Sequence, residues 1–323
     1  MGKSTIHKLE PRIYYYTFGP NEPALIVKSG DIVVVATRDA GGFDEKMEPI
    51  SEEQKQRSDV TFLCERNPLV GPIYVEQAQP GDTLAVTIQK IKLNRNYAYS
   101  MHRPHFGCLT GEGPGKELFF NEPVPESKFD WQIDLERNVG ILELKKSKLK
   151  RVEIPLHPFL GSIGVAPRFG RVETSLMPGE YGGNMDCIET KEGTTLYLPV
   201  WMRGAYLAFG DVHAAQGDGE ICGQALETTA EVTVKLQVIR GRSIEWPRME
   251  DDTYIMTTGS GRPLMDCVRI AQVDLVKWLV DDYGFEKWEA LQVVSQVATM
   301  RIGNAVDPNY TVIAKFPKKY LAY

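Results

Sequence analysis

The stretch ALIVKSGDIVVVAT, residues 24–37, contains two short runs of β-branched and apolar residues on either side of the turn-forming pair Ser29-Gly30. Such runs, bounded by glycine, are typical of strands. The same design recurs in IYVEQAQPGDTLAVTIQKI, residues 73–91, around Pro80-Gly81. In both stretches the turn continues into Asp and then into a strand, which predicts two hairpins in an antiparallel sheet. A weak internal repeat would give the same pattern.

Strand-like segments continue to about residue 240. They lie at residues 152–155, 195–200, 205–209 and 229–238. Many short strands with glycine and proline turns, and few helical stretches, favour a β-sandwich or barrel of antiparallel sheets. The predicted fold class is therefore mainly β, with a smaller α+β part at the C-terminus.

The C-terminal part has a different periodicity. Apolar residues recur there every three or four positions, which predicts two amphipathic helices. The residues concerned are Leu264, Val268, Ala271, Leu275 and Leu279 in the first stretch, and Trp288, Leu291, Val294, Val297 and Met300 in the second. We therefore expect a β-rich core over residues 1–244 that carries the functional site. A helix-bearing part over residues 245–323 should pack on that core.

The composition argues against several classes of protein. The 323 residues carry a formal net charge of −6, and no basic run is interleaved with aromatics, so we expect no nucleic-acid partner. No apolar run approaches the roughly 20 residues that cross a bilayer, and the N-terminus lacks the pattern of a secretory signal. Five scattered cysteines without a CxxC pair argue against a disulfide framework and favour a reducing cytoplasm.

The residues best suited to chemistry lie in GDVHAAQGDGEICG, residues 210–223. Asp211 and His213 end an apolar strand two positions apart, so their side chains point to the same face. Carboxylate oxygen and imidazole nitrogen are common ligands of a divalent metal such as zinc. Asp218 and Glu220 follow on a glycine-flanked turn. A structural, hydrogen-bonded pair of Asp211 and His213 is the alternative explanation.

A second polar stretch, GEYGGNMD at residues 179–186, ends in Asn184 and Asp186. The two glycine-rich stretches together suggest one shared polar site, although two surface turns would have a similar composition. Asp39 and Glu76 each end a predicted strand, where sites are often assembled and where plain turn-capping residues also occur.

Nucleophilic and nucleotide chemistry have weaker signals. The sequence holds no GxSxG elbow. The loop HFGCLTGEGPGK, residues 105–116, lacks one residue of the phosphate-binding pattern GxxxxGK[ST] and continues with Glu117. Cys187 follows the second polar stretch and could act as a thiolate nucleophile. A buried and inert cysteine is the state that we favour.

Together these stretches resemble the acetamidase/formamidase family over nearly the whole chain. The match is densest at residues 155–167 (PLHPFLGSIGVAP), 179–186 and 210–223, with support at residues 67–86. The resemblance implies a β-sandwich-like core, a homo-oligomer of at least two subunits, and hydrolysis of short aliphatic amides to a carboxylate and ammonia. The polar positions shared with the family are Asp39, Glu76, Asn184, Asp186, Asp211, His213, Asp218 and Glu220.

The chemistry that we expect is hydrolysis by metal-activated water. A metal lowers the pKa of bound water towards roughly 7, and a carboxylate can return the water proton to the leaving nitrogen. The expected zinc ligands are Asp186, Asp211 and His213, with Asp39 and Asp218 as further candidates. The expected proton carrier is Glu220, with Glu76 second. The expected oxyanion donors are Asn184 or the backbone amides of Gly182 and Gly183.

Two rival interpretations are left open by the residues. One is attack by Cys187 with a carboxylate base. The other is a binding module without hydrolysis, in which Asp218 and Glu220 hold calcium and a sugar or another small ligand. A calcium ion could also serve as a purely structural element in an acidic loop.

Overall fold

Strands dominate the structure, a computed structural model that describes residues 4–57, 65–104, 106–109 and 124–321. In chain order the strands are β1 (Ile6–Leu9), β2 (Thr17–Phe18), β3 (Leu25–Val27), β4 (Ile32–Ala36), β5 (Leu69–Val75), β6 (Thr83–Leu93), β7 (Tyr97–His102), β8 (Ser127–Asp134), β9 (Val139–Glu143), β10 (Arg151–Pro155), β11 (Phe159–Gly164), β12 (Glu173–Thr174), β13 (Gly182–Asn184), β14 (Thr195–Pro199), β15 (Leu207–His213), β16 (Glu227–Thr228), β17 (Ala230–Ile239), β18 (Arg248–Glu250), β19 (Tyr254–Gly261), β20 (Thr299–Asn304) and β21 (Tyr310–Pro317). The helices are α1 (Leu264–Tyr283) and α2 (Lys287–Val297). The predicted fold class is confirmed.

Among the described residues the strands form two large sheets and one two-stranded ribbon of β2 and β12. The first sheet has the order β1-β4-β17-β6-β14-β18-β19-β21-β20. The second has the main order β10-β9-β8-β7-β16-β15-β11-β13, and β5 with β3 joins it at β15. Most pairings are antiparallel, while β1 with β4 and β3 with β5 are parallel.

The hydrophobic core lies between the two sheets. In β17 of the first sheet, Val232, Val234 and Leu236 are buried while the residues between them are partly or fully exposed. This period of two turns one face of the strand inward. The buried side chains of β17 share one core cluster with Ile163 and Phe209 of the second sheet. The sheets therefore face each other as a sandwich.

The two helices cover the outer face of one end of the first sheet. Met256 of β19 belongs to the core between the sheets, whereas the neighbouring Ile255 packs in a second cluster with Leu275 and Trp278 of α1. Because successive side chains of a strand point to opposite faces, β19 is buried on both sides. This end of the sandwich therefore has three layers.

The two predicted hairpins are wrong. β3 lies in the second sheet and β4 in the first, so the turn between them carries the chain across the sandwich. The turn between β5 and β6 does the same. Both crossings share one local design, in which an aspartate accepts a backbone hydrogen bond from three residues earlier, at 3.0 Å in Asp31 and in Asp82. Such a turn sets a reversal of direction but does not choose the strand that pairs.

The two predicted helices are present, although the second ends earlier than its apolar pattern. α2 ends at Val297, and Met300 lies on the edge strand β20. A chain boundary near residue 245 stays a prediction. β18, which follows that position, pairs with β14 inside the same sheet.

A buried ion pair connects the helical layer to the sheet. Arg248 of β18 donates from Nε to Asp274 Oδ2 at 2.9 Å and from Nη2 to Asp274 Oδ1 at 2.8 Å. Both side chains are only 7% exposed. Two parallel charge-assisted bonds fix the angle between α1 and the strand.

We predict that Asp274→Ala lowers the free energy of unfolding by about 3–5 kcal/mol, because it leaves a guanidinium buried without its partner. Asp266→Ala on the same helix is the matched control, since Asp266 pairs with Arg269 in the open at 49% exposure and should cost less than about 1 kcal/mol. Denaturant titration of both variants measures the difference. Equal losses would contradict the role given to the buried pair.

Candidate active site

The candidate site lies towards one end of the second sheet, where β16, β15, β11 and the terminal strand β13 run side by side. Ser162 of β11 pairs with Asn184 of β13 on one side and with Gly210 of β15 on the other. His213, at the end of β15, pairs with Glu227 of β16. Strand pairing thus brings together residues that are far apart in the chain.

Five carboxylates surround one imidazole in this place, and all six side chains are buried. The residues are Asp186, Asp211, Glu220, Glu227, Asp307 and His213. Atoms of Asp186, His213 and Glu220 lie within 4.8 Å of one another, and so do atoms of Asp211, His213 and Glu227. The structure thus brings Asp186 of one glycine-rich stretch together with His213 and Glu220 of the other.

His213 is oriented by Gln216 of the same stretch. Gln216 Nε2 donates to the carbonyl oxygens of Asp186 at 3.0 Å and Gly303 at 2.9 Å, so its Oε1 faces His213 Nδ1 at 2.9 Å. Nδ1 must then carry the hydrogen, and Nε2 points towards Asp211 Oδ1 at 3.4 Å and Glu227 Oε1 at 3.5 Å. A backbone-anchored partner of this kind sets the tautomer of a metal-binding histidine.

Asn184 connects the carboxylates on the other side. Its Nδ2 donates to Asp307 Oδ2 at 2.7 Å and to Asp186 Oδ2 at 3.2 Å. Its Oδ1 accepts from Ser162 Oγ and from Asn67 Nδ2. Asn67 also donates to Asp211 Oδ2 at 2.9 Å. These amides hold one oxygen of each aspartate in place.

The remaining oxygens make the site suited to a cation. Asp186 Oδ1, Asp211 Oδ1 and Glu227 Oε2 are buried and have no hydrogen-bond partner. Burial raises the pKa of Glu227 to about 8 and that of Asp307 to about 7. Burial by itself lowers the pKa of His213, but the carboxylates of Glu227 and Asp211 outweigh it and raise that pKa well above the usual value. So much buried negative charge requires protons or a metal ion, and the donor set fits a divalent metal.

The backbone is strained at three of these residues. Asp186, Asp211 and Glu220 have φ values of 50°, 56° and 48°. Residues other than glycine rarely adopt this left-handed region, and each instance costs of order 1–3 kcal/mol. The carboxylates of these three residues lie close to His213, in the two clusters that share its imidazole.

Gly161 provides the space that the cluster occupies. A Cβ atom at this position would lie 2.8 Å from each of Asp186 Oδ1, Asp211 Oδ2 and His213 Cε1. All three atoms belong to side chains held by hydrogen bonds or packing, so the clash could not be relieved cheaply. Any side chain at residue 161 would therefore displace the groups of the site.

The cluster opens into a cavity of about 260 Å³. Asp211, His213, Glu220, Glu227 and Asp307 line it from the acidic side. Its other lining residues are Arg66, Asn67, Arg103, Phe106, Leu176, Asn184, Gly223 and Gln224. A larger groove of about 680 Å³ lies beside it and shares Glu220 and Gln224 with it. Glu220 can therefore face a molecule bound in the cavity.

Three of the candidates predicted from the sequence lie elsewhere. Asp39 accepts from Arg95 at 2.9 Å and from the amides of Gly41 and Phe43, which uses both of its oxygens. Asp218 is 54% exposed and pairs with Arg301 at the surface. Neither belongs to the two clusters found among the described residues.

Glu76 is the third. It is exposed and lies seven residues after Leu69, which pairs with Gly210 beside the site. At about 3.3 Å per residue, the strand carries Glu76 roughly 23 Å away from that point. The structure does not bring Glu76 to the cluster. The antiparallel pairing directs β5 towards the start of β15, whereas the cluster lies at the end of β15.

Gly182 and Gly183 serve the backbone of β13. Their φ values are 95° and 90°, and a Cβ atom would approach a carbonyl oxygen to 2.4 Å and 2.2 Å respectively. The amide of Gly182 already donates to Gly179 at 3.1 Å, and both donor bonds of Asn184 are directed at carboxylates. Their predicted contact with a substrate oxyanion stays a prediction.

Cys187 is fully buried, and its thiol lies 3.6 Å from the carbonyl oxygen of Met185. Burial raises the pKa of this thiol well above its usual value, so the thiol stays protonated. Cys187 does not line the cavity among the described residues. The geometry agrees with an inert cysteine. Most of the loop at residues 105–116 lies outside the described residues.

Sequence reasoning missed two members of the cluster, Glu227 and Asp307. Glu227 follows residues 210–223 closely, but it lies in the two-residue strand β16, in which both residues are buried, so no periodicity marks it. Asp307 lies between β20 and β21. Gly219 bonds to Ile302 and Ala305, which holds that loop against the turn bearing Glu220.

Known proteins resemble this chain in sequence and in fold. The model of the acetamidase/formamidase family matches residues 18–175 and 171–321. The chain is similar to the acetamidase of Mycolicibacterium smegmatis, with 27% identity over 54% of this chain and 53% of that protein. The chain spans about half the length of the curated relatives it matches, between 48% and 61%.

Solved structures match over the full length. An acetamidase from Yersinia enterocolitica is 38% identical with a TM-score of 0.85, covering 100% of this chain and 94% of that one. An acetamidase from Bacillus halodurans is 28% identical with a TM-score of 0.80, covering 97% and 98%. A γ-lactamase from Delftia acidovorans, at 20% identity and a TM-score of 0.56, shares the fold.

We predict that Gly161→Ala lowers the free energy of unfolding by about 1–3 kcal/mol, because an added methyl group overpacks the cluster. Gly261→Ala is the control, since a Cβ atom there meets nothing within 4 Å and should change stability by no more than about 0.5 kcal/mol. Denaturant titration compares the two variants. A Gly161→Ala protein as stable as the control would refute the close packing described here.

We also predict selective labelling of the cysteines by iodoacetamide in the folded protein. Cys108 and Cys222 are exposed and should react, whereas Cys187 and Cys267 are buried and should not. Peptide mass spectrometry before and after denaturation measures each site. Rapid labelling of Cys187 in the native protein would support a reactive thiolate instead.

Proposed function

This chain belongs to the acetamidase/formamidase family, and we propose that it hydrolyses short linear amides such as formamide and acetamide to a carboxylate and ammonia. The observation that carries the proposal is the buried cluster of five carboxylates around His213, which opens into a small cavity. Relatives of the chain are named acetamidase and formamidase, which supports the reaction class.

We further propose that the cluster holds a divalent metal. Asp211, His213 and Glu227 are the proposed ligands, with Asp186 facing the same imidazole. Glu227 is thereby added to the ligands assigned from the sequence. A neutral imidazole nitrogen among carboxylate oxygens suits zinc better than calcium, which prefers oxygen ligands alone. Such a metal polarises a carbonyl and acidifies water.

The chain's own residues would then position and protonate the substrate. Gln216 keeps the hydrogen of His213 on Nδ1. The lone pair of Nε2 is then free to bind the metal. Glu220 faces both cavities, so it can take a proton from water and deliver it to the departing nitrogen. Asn184 and Asn67 hold the aspartates still while charge develops. An amide bound against this rigid set needs little rearrangement during reaction.

The rival function, a calcium-dependent binding module, is not favoured by any observation. It needs Asp218 and Glu220 on one ion, but Asp218 is 54% exposed and paired with Arg301, whereas Glu220 is buried in the cluster with Asp186 and His213. Among the described residues, no helix is long and apolar enough to cross a membrane. Assembly as a homo-oligomer in the cytoplasm, without a nucleic-acid partner, is part of the proposal.

We predict that prolonged chelation abolishes ammonia release from acetamide and that added zinc restores it.

Glu220→Gln should lower turnover by about 100- to 10,000-fold while metal content is retained, because the variant loses the carboxylate base and keeps the shape of the side chain. His213→Ala should lose the metal and recover partly at high zinc, since mass action offsets a weakened equilibrium.

The control for these variants is Glu136→Gln, the same chemical change on an exposed turn. Ammonia release and metal content are measured on each purified protein. Full activity in protein shown to be metal-free would refute the metal proposal. Loss of metal in Glu220→Gln, with recovery in excess zinc, would make Glu220 a ligand and not the proton carrier.

A further inference from the structure

We propose that the site prefers short amides that carry a carboxylate at the end remote from the amide, and that Arg66 and Arg103 bind this carboxylate. The inference rests on the proposed amide hydrolysis and narrows its substrate class. A strongly acidic side and two guanidinium groups line the same cavity of about 260 Å³.

The two arginines reach the cavity from different segments. Arg66 directly precedes Asn67, the buried residue whose side chain donates to Asp211. Arg103 directly follows β7. Arg66 is exposed and Arg103 is half-buried, whereas the carboxylates that line the same cavity are buried. The arginines therefore belong to the outer part of the cavity, and the carboxylates to its floor.

In the part of the chain that the structure describes, neither arginine forms an ion pair with the buried carboxylates on the floor of the cavity. Among the described residues, Arg66 has no side-chain hydrogen bond or ion pair. Arg103 Nε is buried without a hydrogen-bond partner, Nη2 donates to Met101 Sδ at 3.0 Å, and the one carboxylate near Arg103 among the described residues is Glu126, a loose ion pair at 3.9 Å whose acid is 68% exposed. The buried arginines elsewhere, Arg95 and Arg248, both have carboxylate partners.

Guanidinium groups that line a cavity and have no close, buried carboxylate partner among the described residues are suited to bind a carboxylate. Arginine binds carboxylates through two parallel hydrogen bonds, which supplies both affinity and orientation. The buried carboxylates on the floor of the cavity would repel the carboxylate of the substrate, because their oxygens are negatively charged and offer it no hydrogen-bond donor. A substrate with an amide at one end and a carboxylate at the other would therefore bind in one direction, with the amide towards His213. Phe106 and Leu176 also line the cavity and can contact a short methylene chain.

The experiment compares succinamate with its neutral isostere 4-methylpentanamide, using the metal-loaded full chain. We expect kcat/KM for succinamate to exceed that for the isostere by about 10- to 100-fold, the effect of hydrogen bonds to a charged group. In Arg66→Met and Arg103→Met this ratio should fall towards one, and Lys at either position should keep part of it. Arg240→Met, an exposed arginine away from the cavity, should leave the ratio unchanged.

The outcomes separate this inference from the proposed function. Hydrolysis of acetamide without any preference for succinamate would overturn the inference and leave the amidase proposal standing. An unchanged ratio in both Met variants would also overturn it. If no amide is hydrolysed, the amidase proposal fails, and calorimetric titration with succinamate then decides. Binding that disappears in the Met variants would uphold the carboxylate site, and binding that is absent or indifferent to them would refute it.

Discussion

Mutual repulsion among five buried carboxylates is the constraint on which the site of this protein depends. Each carboxylate loses hydration on burial, and each raises the cost of ionising its neighbours. The chain offsets part of this cost with neutral donors from Asn184, Asn67 and Ser162. Three buried oxygens in these carboxylates receive no donor, and atoms of the same side chains converge on His213. That arrangement is stable only with protons or a cation among them, which supports the proposed metal.

The sandwich makes such a costly arrangement possible. The strands β11, β15 and β16, which carry much of the site, have neighbours on both sides and the first sheet behind them. The left-handed backbone of Asp211 is held between two paired positions of β11 and β15, Leu160 with Val212 and Ser162 with Gly210. The surrounding hydrophobic core supplies the stability that the site itself lacks. At Gly161 the sheet passes directly beneath the cluster. This close approach is possible because glycine has no side chain that would displace the atoms of the cluster.

The C-terminal segment takes part in the site as well as in the helical layer. Asp307 enters the cluster, and Gly303 accepts a hydrogen bond from Gln216. The loop that bears Asp307 connects β20 to β21, and β21 packs against α1 through Val312 and Ala314. The position of the Asp307 carboxylate therefore depends on the packing of the helices against β21, near the edge of the first sheet.

The sequence by itself determined the strand content, the two helices and the residues of the two glycine-rich stretches that meet in the site. These features are local, because periodicity, turn residues and a short motif express themselves wherever the segment lies. Only the tertiary structure decided that the two turns at Gly30 and Gly81 cross between sheets. It also decided that Glu227 and Asp307 complete the cluster while Asp39 and Asp218 pair with arginines elsewhere. Strand pairing and the neutralisation of buried charge depend on segments that are distant in the chain, such as Asn184 and Asp307, which are 123 residues apart, and no local pattern contains that information.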